Sequence, residues 1–312
     1  MKTKTNQPRF TGIVPPMITP LAEDLSLDEP ALERLVEHVI GGGVHALFAL
    51  GTTGEAPSLP MGMRIETLRC LRYMVQGRVP VIVNVTSTCL DDSLRLAKTA
   101  AHNGCSAVAI APPYYYPIPQ AALREYVRQF IEASPLPTLL YNIPSHTKVA
   151  VELDTVRWAM QDDRVIGLKD SSMDMGYFRQ VGQILPQRPD WSLLVGSERA
   201  MVETMKLGGH GCVGGAGNVW PRLLVDLYEA IGGGDAAAVR KLDAAVQRVA
   251  EIFAATELEN GAIHALKWAA SRLGLCDPRV SPPLLALSPA RREAVQRKLE
   301  ETGLLECALA AQ

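Results

Sequence analysis

Eight short apolar runs, each parted from the next by a stretch of helical periodicity, predict an α/β protein whose parallel strands close into a (β/α)8 TIM barrel. Two further observations support that class. The runs are continuous rather than alternating, as in strands buried on both faces. The alternation fills residues 12–235, close to the size of about 250 residues typical of such a barrel. No G-x-G-x-x-G follows the first run, so an open doubly wound sheet lacks its dinucleotide-binding turn.

The first half supplies GIVPPMI (12–18), HALFALG (45–51), VPVIVNV (79–85) and AVAIAPP (107–113). The second supplies PTLLYNI (137–143), VIGLKDS (165–171), SLLVGSE (192–198) and GCVGGAG (211–217). Helices are expected between them. In DEPALERLVEHVIGGG, the apolar Leu32, Leu35, Val36, Val39 and Ile40 share one helical face, and glycines end the helix. DDSLRLAKTAAHNG repeats the scheme, with Asp91 or Asp92 as candidate N-cap and Asn103-Gly104 as the stop. Beyond residue 235 the chain reads as helical throughout: DAAAVRKLDAAVQRVAEIFAATE, GAIHALKWAASRLG, then SPARREAVQRKLEETG. The last opens on Ser288 as N-cap with Pro289 at the first helical position. The expected organisation is a barrel with the catalytic site over 1–235 and a C-terminal helical domain over 236–312 that packs on it.

Composition narrows the function. The 312 residues carry 31 basic and 33 acidic side chains, a formal charge of -2, so nothing favours nucleic acid as a partner. No apolar run approaches the roughly 18 residues of a membrane span, and MKTKTNQPRF is too polar for a signal peptide. That segment reads as a short frayed lead-in to a cytoplasmic protein. The six cysteines (Cys70, Cys89, Cys105, Cys212, Cys276, Cys307) are scattered, with no C-x-x-C and no histidine at zinc-finger spacing. They read as reduced, mostly buried thiols, and no metal is expected.

Catalytic groups of a barrel sit at the C-terminal ends of its strands. The sixth run ends in Lys169, and burying an ammonium there costs several kcal/mol unless it is paired or neutralised. Two readings follow. Lys169 makes a structural salt bridge, to Asp170 or Glu198, or it is an amine whose apolar surroundings favour the neutral, nucleophilic form. Such an amine forms a Schiff base with a carbonyl substrate. The second run leads into GTTGE, whose two hydroxyls and glycine-flanked N–H groups can bind a carboxylate, or simply cap a turn. Tyr141 ends the fifth run, either as a proton shuttle or as a core tyrosine. Tyr114, Tyr115 and Tyr116 follow the fourth and cannot all face inward, so at least one is expected at the rim or a subunit contact. GCVGGAGN after the last strand is an alternative phosphate or pyridoxal phosphate site, or only a turn. His210 lies in a turn and reads as structural; His38, His45, His102 and His264 have no partner at metal spacing and are assigned no function, and the four tryptophans read as packing.

Taken together, GTTGE, PPYYYP, YNIPS, GLKD, LLVGSE and LGGHGCVGGAGNV resemble, in order, the motifs of the dihydrodipicolinate synthase / N-acetylneuraminate lyase family. The resemblance covers residues from about 10 to 220. It implies a (β/α)8 fold, a homo-oligomer (tetramer or dimer), pyruvate or another 2-oxo acid plus an aldehyde as substrates, and no cofactor beyond the Schiff base itself. By position, Lys169 is similar to the Schiff-base lysine and Tyr141 to the proton-transferring tyrosine. Thr52 would link Tyr141 to Tyr115 of an adjacent subunit. Thr53, with Thr52, would hold the pyruvate carboxylate, and Gly196 and Val213 match pocket-lining positions.

Two departures bear on the substrate and its regulation. Where the synthase branch has an arginine for the carboxylate of aspartate semialdehyde, this chain has His146, which cannot make that bidentate fork. His146 is then either a contact to the distal end of a substrate or a satisfied rim residue. APSLPMGMR replaces the histidines of lysine-inhibited synthases, so lysine feedback is not expected. The expected activity is a reversible aldol cleavage or dehydration of a 2-keto-3-deoxy sugar acid or hydroxy-oxo acid. The alternatives are 4-hydroxy-tetrahydrodipicolinate synthase and a non-catalytic 2-oxo-acid-binding protein.

Overall fold

The computed structural model describes residues 9–304. Residues 1–8 of the expected lead-in, and Cys307, lie outside that range. Eight strands appear in chain order: β1 (Gly12–Ile13), β2 (Leu47–Ala49), β3 (Val81–Asn84), β4 (Ala107–Ile110), β5 (Thr138–Asn142), β6 (Val165–Asp170), β7 (Ser192–Val195) and β8 (Gly211–Cys212). The helices are α1 (Glu29–Gly41), α2 (Met61–Val75), α3 (Leu90–His102), α4 (Gln120–Ala133), α5 (Pro144–Thr147), α6 (Leu153–Ala159), α7 (Met175–Ile184) and α8 (Met201–Lys206). After them come α9 (Pro221–Gly233), α10 (Ala236–Ala254), α11 (Gly261–Arg272) and α12 (Pro289–Thr302). Each of the eight apolar runs contains its strand, so the alternation expected from the sequence is present. The strands are shorter than the runs. Pro15 and Pro16, which lack an N–H, follow β1 after Val14, and β8 gives way to a turn at Gly214–Gly215.

The chain divides into two compact units. One holds the residues up to Gly12 with Pro80–Val213. Its strands β3 to β8 are parallel neighbours in sequence order. Gly167 lets β6 and β7 approach, since a Cβ there would stand 2.3 Å from Ser192 O. The helices bury one face each: Leu96, Ala97 and Ala100 on α3, and Leu123, Val127, Phe130 and Ile131 on α4. Phe10, in the stretch expected to fray, is buried and donates its N–H to Ser192 Oγ at 2.8 Å. The α3 cap differs from expectation. The helix starts two or three residues earlier, with Cys89 as N-cap, and Asp91 and Asp92 lie in its first turn, where their charge favours the exposed N–H groups. The Asn103-Gly104 stop is as expected.

The other unit comprises Ile13–Val79 and Gly214–Gln312. Segment 13–17 runs beside β2: His45 N–H donates to Ile13 O, Phe48 N–H to Pro15 O and Met17 N–H to Phe48 O, each at 2.9 Å. α1 carries the expected face, with Leu32, Leu35, Val36 and Val39 buried and Ile40 half-buried. Asp235 caps α10, accepting from Ala237 and Ala238 N–H at 3.0 Å, and Ser288 caps α12 as expected. Trp220 Nε1 donates to Leu304 O at 2.9 Å, and Trp268 Nε1 to Gln296 Oε1 at 3.2 Å. Among the described residues no helix is long and apolar enough to cross a membrane. Of the described cysteines, Cys105, Cys212 and Cys276 are buried, Cys70 is half-buried and Cys89 exposed, all as free thiols.

Candidate active site

The ends of β5 and β6 bring two of the expected residues together. Tyr141 and Lys169 are in register, and parallel neighbours in register point to one side of a sheet. Each is 3 % exposed, and Lys169 Nζ lies 4.0 Å from the centroid of the Tyr141 ring. The ring packs with Ala111 and Ile143. A lysine amine and a phenol are thereby held within reach of one small carbonyl compound, with most water excluded. That pairing allows an amine to add to a carbonyl while a neighbouring hydroxyl carries the proton.

The next residue on each strand faces the other way and locks the pair. Asn142 Nδ2 donates to Asp170 Oδ1 at 2.8 Å, and Asn142 Oδ1 accepts from Val151 N–H at 2.9 Å. Ser172 donates its N–H to Asp170 Oδ1 and its hydroxyl to Oδ2. Burial pushes the Asp170 carboxyl above its ordinary range, against the pull of these hydrogen bonds. Burial, and then the charge of Asp170, push the Tyr177 hydroxyl up as well. Neither Asn142 nor Asp170 was picked out from the sequence as a functional residue. The signal available was two polar residues ending two neighbouring apolar runs, each directly after a catalytic candidate.

Gly196 is a glycine because the chain passes close. A Cβ there would lie 1.8 Å from Ser171 Oγ, and its N–H donates to Asp170 O at 2.7 Å. Val213 is buried and donates its N–H to Val195 O at 2.7 Å. Cys212, fully buried, has its thiol pushed well up by burial and by the carboxylate of Glu198, with Lys169 acting the other way. Glu198, itself 5 % exposed, and Lys169 thus both act electrostatically on the Cys212 thiol.

The rim residues are placed differently. Tyr115 and Tyr116 are 75 % and 72 % exposed and meet edge to face at 4.9 Å, while Tyr114 is half-buried. The expectation that at least one of the three is exposed is met twice. His146 is exposed on α5, its Nδ1 2.9 Å from Ser145 Oγ. His210 is structural, as expected: its Nδ1 accepts the N–H of Leu193 at 3.0 Å.

Thr52 and Thr53 belong to the other unit, half-buried in the turn after β2. Two non-glycine residues in the left-handed region bracket this turn, Leu50 at φ 56° and Glu55 at φ 58°. Each such residue costs about 1–2 kcal/mol, so the turn needs ties to hold it. Thr19 Oγ1 donates to Gly54 O at 2.7 Å and Glu55 N–H to Thr52 O at 3.0 Å. In the same unit, the GGAGN turn is engaged internally. Asn218 accepts from Ile18 N–H and donates to Pro16 O and Gly215 O, and a Cβ on Gly217 would stand 2.6 Å from Pro15 Cγ. Its glycine at 217 therefore serves close packing. Among the described residues no group of three or more His, Cys, Asp or Glu could hold a metal ion.

The family model described as the Dihydrodipicolinate synthetase family matches residues 9–302. A relative in Escherichia coli strain K12, named Probable 2-dehydro-3-deoxy-D-pentonate aldolase YjhH, is 30 % identical over 95 % of this chain and 99 % of its own. A solved dihydrodipicolinate synthase from Bacteroides thetaiotaomicron is 39 % identical, with a TM-score of 0.90 over 95 % of this chain and 99 % of its own. YagE of E. coli K12, a prophage protein of the dihydrodipicolinic acid synthase family solved with pyruvate, also reaches 0.90 over the same shares at 27 % identity. With the eight strand–helix pairs described above, these likenesses make the fold a (β/α)8 barrel with C-terminal helices.

Proposed function

The chain belongs to the Dihydrodipicolinate synthetase family, and we propose that it is a class I lyase forming a Schiff base between Lys169 and pyruvate or a related 2-oxo acid. The observation that carries this reading is the buried Lys169 amine 4.0 Å from the Tyr141 ring. In this reading the neutral amine adds to the keto carbon, giving a carbinolamine. Tyr141 then passes a proton to the hydroxyl that leaves as water, and the imine forms. Loss of a proton at the methyl carbon gives the enamine, which joins an aldehyde; the reverse sequence releases one. By family resemblance, Thr52 and Thr53 would take the carboxylate and Thr52 would relay protons to Tyr115 of a neighbouring subunit. The exposure of Tyr115 suits a residue covered by another copy of the chain. A homotetramer acting in the cytoplasm without metal or organic cofactor completes the proposal.

For the substrate we favour a 2-keto-3-deoxy sugar acid or hydroxy-oxo acid. His146, where the synthase branch has an arginine, supports an aldehyde partner without a carboxylate clamp. The likeness to a protein named as a pentonate aldolase points the same way. The synthase reading has its own support in the 39 % identity to a dihydrodipicolinate synthase. Incubation with pyruvate and borohydride tests the shared chemistry. A reduced pyruvyl adduct is expected at Lys169 and not in Lys169→Ala; no adduct in the native chain refutes the Schiff base. Pyruvate release from a panel of 2-keto-3-deoxy acids, set beside turnover of pyruvate with aspartate semialdehyde, then decides the substrate.

A further inference from the structure

A buried ion pair joins the GTTGE turn to the C-terminal helices. Glu55 Oε1 meets the ammonium of Lys267, in the middle of α11, and both side chains are fully buried. Glu55 Oε2 accepts the N–H of Ser281 at 2.5 Å, and Lys267 Nζ donates to Arg279 O at 2.6 Å. Ser281 Oγ donates to Ser58 O at 3.2 Å. Both carboxylate oxygens and the ammonium are thus engaged, and all the residues lie in one compact unit.

Such a pair is not the obvious way to stabilise a fold. Apolar residues of the same volume often do as well, because desolvating two charges offsets their attraction. What apolar residues cannot do is accept the N–H of Ser281 and hold Glu55 in a left-handed conformation directly after Thr52-Thr53-Gly54. We infer that Lys267 and Glu55 are positioning residues for the carboxylate-binding turn, so that helix α11 and segment 279–281 set the geometry of Thr52 and Thr53. This inference rests on the proposed role of that turn in holding the pyruvate carboxylate.

The test uses the full chain and the variant Lys267→Met, which removes the charge and nearly keeps the volume. Adducts at Lys169 are trapped with borohydride over a titration of pyruvate, and in parallel with acetone, a methyl ketone lacking the carboxylate. The variant should need about tenfold more pyruvate for half-saturation, while trapping of acetone stays at the native level. A half-saturation within about twofold of native overturns the inference, and so does an equal loss with both ketones, which marks general damage. If Lys267→Met does not fold, Glu55→Gln carries the same comparison, since it keeps an acceptor for Ser281 while breaking the ion pair. Failure of the native chain to trap pyruvate would instead remove the Schiff-base reading itself.

Discussion

Replacing Asn142 by alanine tests whether the lock behind Tyr141 and Lys169 holds the site together. The Asn142 amide makes two buried hydrogen bonds, to the carboxylate of Asp170 and from the N–H of Val151. A hydrogen bond to a charged group contributes about 1.5–3 kcal/mol, and orphaning a buried N–H costs about 1–3 kcal/mol. Together they predict a loss of about 3–5 kcal/mol, or about 6–15 °C in melting temperature for a chain of this size. Calorimetry at neutral pH measures it. The cost should also depend on pH. Asp170 is 1 % exposed and its carboxyl is already raised by burial, with Asn142 pulling it back. Between its ordinary value and the raised one, the folded state holds more protons than the unfolded chain, so stability falls as pH rises through that window. Without Asn142 the carboxyl rises further, and the variant binds its proton more readily. The penalty is therefore largest at neutral pH and narrows as pH falls. Borohydride trapping at Lys169 should slow in the same variant, because β5 and β6 lose their tie one residue beyond the Tyr141–Lys169 pair. A melting temperature within about 2 °C of native, or a loss that does not change with pH, refutes the reasoning.

Gly196→Ala should cost about 1–3 kcal/mol by overpacking, since its Cβ would fall 1.8 Å from Ser171 Oγ and 2.9 Å from Ser171 Cβ. Adding Ser171→Gly should recover most of that loss; no recovery in denaturant melts would place the clash elsewhere. Burial holds the His210 imidazole below its ordinary value of 6.5, and its Nδ1 accepts an N–H only while unprotonated. The unfolded chain takes up that proton first, so stability is lost as pH falls from 6.5 toward the folded value. His210→Asn should flatten the fall in melting temperature between about pH 7 and 5.5; an unchanged slope would acquit His210, leaving His38 and His45, which burial also lowers. Ser288→Ala should destabilise by about 0.5–1 kcal/mol through loss of the α12 cap, and a melting temperature equal to native would show that the 3.4 Å contact to Arg291 N–H contributes nothing.

Period and apolarity made the strand–helix alternation readable, because every run had to be buried on both faces to serve as a strand. Strand ends were less readable. Pro15-Pro16 visibly interrupts the first run, yet apolar residues continue to Ile18, which is buried outside any strand. Burial needs apolar side chains whether or not the backbone is paired, so apolarity overstates strand length. The α3 cap failed for a related reason. Aspartates favour both the cap and the first turn, and only the backbone shows that Cys89 precedes the helix. In the site, Lys169 and Tyr141 stood out as polar groups ending apolar runs. Their contact depends on strand register, which one strand alone does not encode.

The two buried lysines show where reading from sequence stops. Lys267 sits among Ile263, Leu266 and Ala270 on a buried helical face, an anomaly of the same kind as a lysine ending an apolar strand. Composition around each says only that an ammonium has been taken out of water. What it does there is decided by groups the chain supplies from far away. For Lys267 these are a carboxylate and a carbonyl, and the carboxylate in turn takes an N–H 226 positions distant. They fix a cation in place and spend it on geometry. For Lys169 the neighbour in register is a phenol, which can accompany the amine through addition to a carbonyl and the loss of water. If the two residues were both mere anchors, Lys169→Met and Lys267→Met would fail alike, by melting temperature. The different failures expected of them, loss of the adduct in one and loss of carboxylate selectivity in the other, separate a nucleophile from the support it depends on.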